Sequence, residues 1–245
     1  MKKYVGLLIG LLFVSACIHT PPAPEGFEEK TVETEHFSIK IWEKEGIEPK
    51  KMLRVYIAGD GNPTPKNPVG LALAEKDTYQ NVIYISRPCQ YESDNDLCKK
   101  QNIYGADRYH REIIKEMQEL VVYLIRKHKS TSLELVGYDG GAPIALLLAT
   151  RIPAQRVITV AGILDTQNYN KQHNLPQGDG LNPADEKNLL RVVPQIHYVG
   201  EDDTLTTKRM AERFVARLQN PKSAVVKIVP DTAHTDWEEV EFDYY

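Results

Sequence analysis

The stretch LELVGYDGGAPIALLLATR, residues 133–151, decides the fold. An apolar run leads into the glycine-rich turn of residues 137–141, and an Ala- and Leu-rich segment follows at once. This pattern predicts a buried strand, a sharp turn and a helix. Turns with the spacing G-x-S-x-G present a serine nucleophile at their centre. Here Asp139 occupies that central position, and its chemistry is therefore the question that the sequence raises.

The elements around this turn alternate between strands and helices. Residues 132–138 are a predicted strand that enters a glycine turn. Residues 107–128 are a predicted helix, because their apolar residues recur at helical spacing. Segments of these two kinds recur along the whole chain. This alternation predicts a doubly wound, mostly parallel sheet, with ligands at the carboxyl ends of its strands. The other predicted strands are 37–44, 52–61, 81–88, 156–162, 195–203 and 224–230, and the other predicted helices are 141–151 and 207–219.

Length and composition fit one α/β domain with a sizeable core. The chain has 245 residues, 42% of them hydrophobic, a net charge of -4 and a pI near 6.0. No basic stripe is present that could neutralise phosphates, so a nucleic-acid partner is not expected.

The N-terminus has the pattern of a signal peptide over residues 1–16. Positive charge in Met1-Lys2-Lys3 precedes a short apolar run, and small residues lead to Cys17. That ending resembles the lipobox of bacterial lipoproteins, in which the cysteine is acylated with fatty acids such as palmitate. An ordinary secretory cleavage site with an incidental Cys17 is the alternative. We predict a protein anchored to membrane lipid through Cys17, in the bacterial cell envelope and with its domain outside the cytoplasm.

Residues 17–34 are predicted to form the lipid anchor and a proline-rich tether that holds the domain off the bilayer, because dense proline favours extended conformations. The folded domain is then expected over residues 35–245. Export also places Cys89 and Cys98 where disulfides persist, and their separation around a polar loop predicts a bridge. Two free buried thiols are the alternative.

Three strand ends carry polar residues in an informative order. Asp139 is followed by the acidic run 201–203 and then by His234 after the last strand. Nucleophile, acid, histidine is the chain order of the α/β-hydrolase triad. From about residue 35 to its end, the chain therefore resembles the α/β-hydrolase family. The resemblance implies Asp203 rather than Asp202 as the acid and His234 as the base, with no large cap domain.

The same resemblance implies an oxyanion hole at the glycine turns. Gly61 follows the strand that supplies one backbone amide in this family, and Gly140 follows the nucleophile position. Each feature also has a plainer interpretation: a simple turn at 59–61, a solvated acidic loop or cation site at 201–203, and a surface histidine at His234. Neither a metal nor an organic cofactor is expected.

Three local stretches, 63–74, 87–91 and 178–186, are similar to bacterial lipoproteins with an α/β-hydrolase domain. Those relatives generally carry serine at the elbow, so Asp139 is a departure. The resemblance implies a fold and an ancestry but no particular substrate. A small ester-like molecule is the expected ligand.

Aspartate at the elbow leaves two interpretations open. An ionised carboxylate can displace a leaving group from saturated carbon, and His234 can then activate water against the resulting ester, as in haloalkane dehalogenases and epoxide hydrolases of this fold. Gly140 in place of a large aromatic residue and the short insertion 164–188 depart from those families. Alternatively, Asp139 and His234 form a charged pair in an inactive pocket that binds a ligand or a partner.

Overall fold

The structure is a computed structural model. It describes residues 20–60, 64–66, 68–92, 95–100, 105, 108–219, 223–237, 240 and 242. Cys17, Gly61 and the predicted signal peptide of residues 1–16 lie outside the described residues, so the predictions made for them stay predictions.

In the described part of the chain, eight strands form one sheet in the order β1-β2-β4-β3-β5-β6-β7-β8. The strands from β4 to β8 in this order pair in parallel, whereas β1 and β2 pair antiparallel at one edge and β2 also pairs antiparallel with β4. The seven predicted strands occur as β2 to β8, and β1 is an additional strand. Their bounds are β1 Phe27–Glu33, β2 Ser38–Lys44, β3 Met52–Ile57, β4 Val82–Ile85, β5 Ser132–Tyr138, β6 Arg156–Val160, β7 Gln195–Gly200 and β8 Ala224–Val229.

Helices cover both faces of the sheet. One face carries an apolar cluster that includes side chains of α3, α4 and α7, and the other carries a cluster that includes α1 and the C-terminal Trp237. This arrangement is the doubly wound layering that the alternation predicts. The helices are α1 Val69–Lys76, α2 Asp96–Lys100, α3 Arg111–Lys127, α4 Gly141–Ala149, α5 Thr166–Gln172, α6 Lys187–Leu190 and α7 Lys208–Leu218, with a 3-10 helix at Pro183–Glu186.

The sheet begins earlier than the boundary predicted between residues 34 and 35. Strand β1 pairs with β2 from Phe27↔Lys44 to Glu33↔Ser38, so residues assigned to the tether belong to the domain. The sequence hides this strand because β1 is an edge strand with mostly polar side chains, and Phe27 is its one fully buried residue. A polar edge strand lacks the apolar alternation by which strands are recognised.

Helix α4 follows the elbow and is apolar all round. Every residue of Gly141–Ala149 is buried, since the helix lies between the sheet and α3. Such a helix fixes the turn that precedes it, because a shift of the turn would displace a fully packed element.

Two further features bear on the sequence predictions. Cys89 and Cys98 form a disulfide, as predicted. Between β6 and β7 the insertion 164–188 holds only α5, the 3-10 helix and the start of α6, so the described chain has no large cap domain there. In the part of the chain that the structure describes, no helix has the length and apolar character needed to cross a membrane.

Candidate active site

The elbow between β5 and α4 holds Asp139 in a left-handed backbone conformation, with φ of 47°. For a residue other than glycine this conformation is strained, and such strain persists where the surrounding structure enforces it. The close approach of β3 is one constraint: a Cβ atom at Gly141 would overlap the backbone oxygen of Ile57. The turn therefore presents the Asp139 side chain at the carboxyl edge of the sheet.

Asp203 and His234 meet Asp139 at this edge. Asp203 follows β7 and His234 follows β8, and the Nδ1 atom of His234 lies 2.9 Å from Oδ2 of Asp203. On the other side of the ring, Nε2 of His234 lies 3.5 Å from Oδ1 of Asp139. The structure thus brings together the three residues that the sequence proposed as nucleophile, acid and base.

Asp203 is held firmly by its own loop. Its Oδ1 atom accepts hydrogen bonds from the backbone N–H groups of Leu205 and Thr206, both at 2.8 Å, and its Oδ2 atom accepts one from the Thr206 hydroxyl at 2.6 Å. Asp202, by contrast, is exposed. The geometry therefore agrees with the choice of Asp203 over Asp202 as the partner of the histidine.

The two carboxylates control the charge of His234. Burial lowers the pKa of His234, but the interactions with the Asp139 and Asp203 carboxylates outweigh burial and raise the pKa to about 9. Burial raises the pKa of Asp203, yet the hydrogen bonds from His234 and Thr206 prevail and lower it. At neutral pH His234 is therefore an imidazolium ion between two carboxylates.

The second oxygen of Asp139 points to the opposite side of the site. Its Oδ2 atom accepts a hydrogen bond of 3.0 Å from the backbone N–H of Asp60, which follows β3. The family resemblance implies that a backbone amide at the end of this strand is an oxyanion-hole donor. The sequence predicts the amide of Gly61, whereas the donor in the structure is the amide of Asp60, one residue earlier. The other predicted donor, Gly140, directly follows Asp139 and is the N-cap of α4.

The Asp60 carboxylate belongs to a buried ionic cluster that the sequence did not reveal. It forms an ion pair with Arg87, lies 3.4 Å from Nη1 of Arg108, and accepts a hydrogen bond of 2.9 Å from the Tyr109 hydroxyl. The same carboxylate lies against Gly140, where a Cβ atom would overlap it. Gly140 is thus required by the close approach of a charged side chain.

A sequence signal for part of this cluster does exist. Arg87 follows β4 and Asp60 follows β3, so two parallel neighbours place both residues at the same edge of the sheet. Arg108 comes from a distant loop, and its Nη2 atom contacts Asn170 of α5 at 2.5 Å. No spacing along the chain indicates that contact, because it depends on how the insertion folds over the site.

Aromatic residues hold the backbone of the histidine loop. The Tyr138 hydroxyl and the Trp237 indole N–H both donate to the backbone oxygen of His234, at 3.2 and 2.9 Å. Trp237 is fully buried, so this loop is anchored in the core on the side away from the site. The imidazole position is therefore set by the loop backbone as well as by the two carboxylates.

Solved structures of similar fold are α/β hydrolases. An acylaminoacyl peptidase from Pyrococcus horikoshii superposes with a TM-score of 0.65 and 14% identity over 88% of this chain, which spans only 38% of that longer protein. An esterase from Pyrococcus furiosus gives 0.63 and 17%, covering 91% of this chain and 92% of its own. A serine hydrolase without lid from Xanthomonas campestris gives 0.56 and 12%, covering 89% of each chain.

No protein-family model matches the chain, and neither does any curated protein sequence. Identities this low establish the fold alone. The chain has the α/β-hydrolase fold, with a mostly parallel sheet and no large cap within its described part, as the sequence predicted.

Proposed function

We propose that this domain is a hydrolase in which the Asp139 carboxylate attacks electrophilic saturated carbon. The observation that carries the proposal is the division of the carboxylate between two partners. Oδ2 is fixed on the Asp60 amide at 3.0 Å, whereas Oδ1 faces His234 at 3.5 Å, beyond hydrogen-bond length, and keeps a lone pair for attack. An ionised carboxylate needs no base to become nucleophilic.

In the first step, Oδ1 of Asp139 forms a bond to carbon while the leaving group departs with the electron pair. The product is an alkyl ester of Asp139. Ester formation removes the negative charge that helps to hold the pKa of His234 at about 9. His234 then gives up its proton to the leaving group or to solvent and becomes a neutral base.

In the second step, neutral His234 takes a proton from water as the water oxygen attacks Cγ of the ester. Negative charge develops on Oδ2, where the Asp60 amide already donates. Collapse of this intermediate expels the alcohol, which takes the proton from His234, and leaves Asp139 as a carboxylic acid. That acid then gives its proton to His234, which restores the Asp139 carboxylate and the imidazolium ion. Asp203 keeps the imidazole oriented throughout.

Acyl transfer fits this site poorly. Attack of Asp139 on an ester carbonyl would give a mixed anhydride, and the Asp60 amide that would receive the substrate oxyanion is occupied by Oδ2 of Asp139. The Asp60 carboxylate, whose charge is offset by Arg87 and Arg108, also fills the space beside Gly140, the second predicted donor. These features favour small electrophilic alkyl compounds as substrates over acyl esters.

Trapping the alkyl ester tests the proposal. His234→Gln should accumulate a covalent adduct on Asp139 when incubated with terminal epoxides or primary alkyl bromides, because the base of the second step is missing. Intact-mass and peptide mass spectrometry would locate it. Asp139→Asn is the matched control and should form no adduct. Absence of both adduct and turnover with the whole set would contradict the proposal.

A second candidate function is binding without turnover. It is favoured by the position of His234 as a cation between Asp139 and Asp203, which can lock the pocket in one charged arrangement. A wild-type protein that binds compounds of the set, as measured by calorimetry, but forms neither product nor adduct would favour this candidate.

Membrane anchoring through acylated Cys17 is part of the proposal. It is supported by the charged N-terminus, the apolar run and the small residues that precede Cys17. Cys17→Ser should move the protein from the membrane fraction of the cell envelope to the soluble fraction. Unchanged association with membranes would contradict the anchor and leave the chemistry at Asp139 untouched.

A further inference from the structure

The first described residues after the predicted anchor pack against the domain. The Thr20 hydroxyl donates to Oε2 of Glu29 at 2.9 Å, Pro21 is buried, and the Phe27 N–H donates to the backbone oxygen of Pro24 at 3.0 Å. The segment expected to act as a free spacer is therefore attached to the folded body from Thr20 onward. This contact leaves much less free chain than the sequence suggested.

The attached segment and helix α1 enclose a shallow apolar groove. Its volume is about 310 Å³, and it is lined mainly by Pro21–Pro24, Pro68, Leu71 and Ala72. Pro22 and Ala23 are exposed beside it. Two charged residues, Lys66 and Glu75, complete the lining and carry opposite charges. The face is thus apolar and close to neutral.

The length of chain ahead of this face limits how the domain can sit on a membrane. Thr20 is three residues after Cys17, so a fully extended chain separates them by roughly 11 Å. A domain of this size has a radius of gyration of roughly 17 Å. Because the connection is shorter than this radius, a domain anchored at Cys17 can bring only the face around Thr20 to the lipid headgroups.

We propose that the face formed by Thr20–Pro24 and α1, here called the tether face, rests on the surface of the membrane that holds acylated Cys17. The inference rests on the proposed anchor and is independent of the proposed chemistry.

The charges of the tether face define the kind of contact. Lys66 and Glu75 in the groove carry opposite charges, and Lys76 is exposed at the end of α1. The described residues of the face contain no larger cluster of basic side chains that would select anionic lipid. Contact is enforced by the short connection and the apolar groove. It should therefore be the same on vesicles of phosphatidylethanolamine alone and on vesicles that also contain phosphatidylglycerol.

Site-specific fluorescence quenching tests this orientation. The full-length acylated protein would be reconstituted into such vesicles and labelled at one introduced cysteine, Ala23→Cys on the tether face or Ala216→Cys as the matched control. Ala216 is exposed on α7, which packs on β7 and β8 at the opposite edge of the sheet from β1. Cys89 and Cys98 are bridged and do not compete for the label.

Lipids with nitroxide headgroups should quench the label at position 23 strongly and the label at position 216 very little, with or without anionic lipid. Equal quenching at both positions, or none at either, in a protein that stays on the vesicles would overturn the inference while the anchor stands. The inference would also be overturned if nitroxide headgroups did not quench the label at position 23 although its fluorescence showed an apolar environment. The groove would then hold the protein's own acyl chain. Vesicle association that survives Cys17→Ser would instead contradict the anchor.

Discussion

The sheet carries one group of charged side chains within its strands and another at the carboxyl ends of its strands, and the two groups are built differently. Within the strands, Arg54 donates to Asp77 at 2.7 Å and to Glu134 at 2.8 Å, and Glu134 also pairs with Arg156. At the carboxyl ends, His234 lies between Asp139 and Asp203. We call these groups the Arg54 cluster (Arg54, Asp77, Glu134 and Arg156) and the His234 cluster (Asp139, Asp203 and His234).

The difference lies in which charges can change. The Arg54 cluster combines two guanidinium groups with two carboxylates, and a guanidinium keeps its charge at every pH that a folded protein experiences. The cation of the His234 cluster is an imidazole, whose charge depends on its two neighbours. One cluster therefore fixes the sheet, whereas the other can release a proton when one of its carboxylates is esterified.

The largest effect is expected from giving the His234 cluster a hydroxyl nucleophile. Asp139→Ser removes one of the two carboxylates beside His234, so the pKa of His234 should fall. The substitution also frees the Asp60 amide. The variant should therefore hydrolyse short activated esters, which the parent does not. Adding His234→Ala should reduce that new rate by about 10²–10⁴-fold, because serine needs the base. Release of a chromogenic leaving group measures both. Ester hydrolysis that survives His234→Ala would show that the triad is not assembled as described.

The next effect concerns the Arg54 cluster. Arg54→Ala leaves the buried carboxylates of Asp77 and Glu134 without their shared cation, and should lower the free energy of unfolding by about 3–5 kcal/mol. Urea denaturation followed by circular dichroism measures the change. Lys208→Ala is the control, since Lys208 pairs with Glu212 only on the exposed surface. Equal stability of the two variants would refute the distinction between the clusters.

A smaller effect follows from the proton on His234. Its folded pKa of about 9 lies above the usual value of 6.5, so the stabilisation is complete below pH 6.5 and is lost as the pH rises through 9. Allowing for partial exposure, wild type should lose about 2 kcal/mol of unfolding free energy over this window. His234→Gln should lack this loss. If the free energy of unfolding fell equally in wild type and His234→Gln over this pH range, His234 would not be held as a cation.

The smallest effect is expected at the support of the histidine loop. Tyr138→Phe removes the hydrogen bond to the backbone oxygen of His234, and should cost about 1 kcal/mol of unfolding free energy. Chemical denaturation at neutral pH would measure it. The pH dependence described for wild type should persist in this variant, because both carboxylates remain. A variant that loses the pH dependence would assign the loop a role in the charge of His234 that the geometry does not give it.

The sequence predicts the sheet and the core of the site for a definite reason. Buried parallel strands are strongly apolar, and Asp139 directly follows such a strand, β5. His234 follows the last parallel strand, β8, after a short loop. Both residues are therefore predicted at the carboxyl edge of the sheet from their order along the chain. The contacts of Asp60 with Arg108 and Tyr109 could not be predicted in this way. They join loops far apart in the chain, and only the folded loops bring them together.

The same reasoning explains the two errors at the N-terminus. A polar edge strand such as β1 has no strong periodic signal, because one of its faces is largely solvated. The proline-rich residues 20–24 belong to no helix or strand, and composition does not reveal that Pro21 is buried against the domain. Local composition indicates the backbone conformation of a segment, whereas its packing depends on the surface that distant residues of the folded chain form.

The proposed mechanism requires Asp139 to form an ester that water then cleaves at Cγ. A single turnover in ¹⁸O-labelled water, with enzyme in excess over a terminal epoxide, distinguishes this route from direct attack of water on the substrate. The heavy oxygen should enter the carboxylate of Asp139, detected in the peptide that contains residues 133–151, and the first product alcohol should be unlabelled. Label found only in the product, with an unlabelled Asp139 peptide, would contradict the ester route, because water would then have attacked the substrate directly.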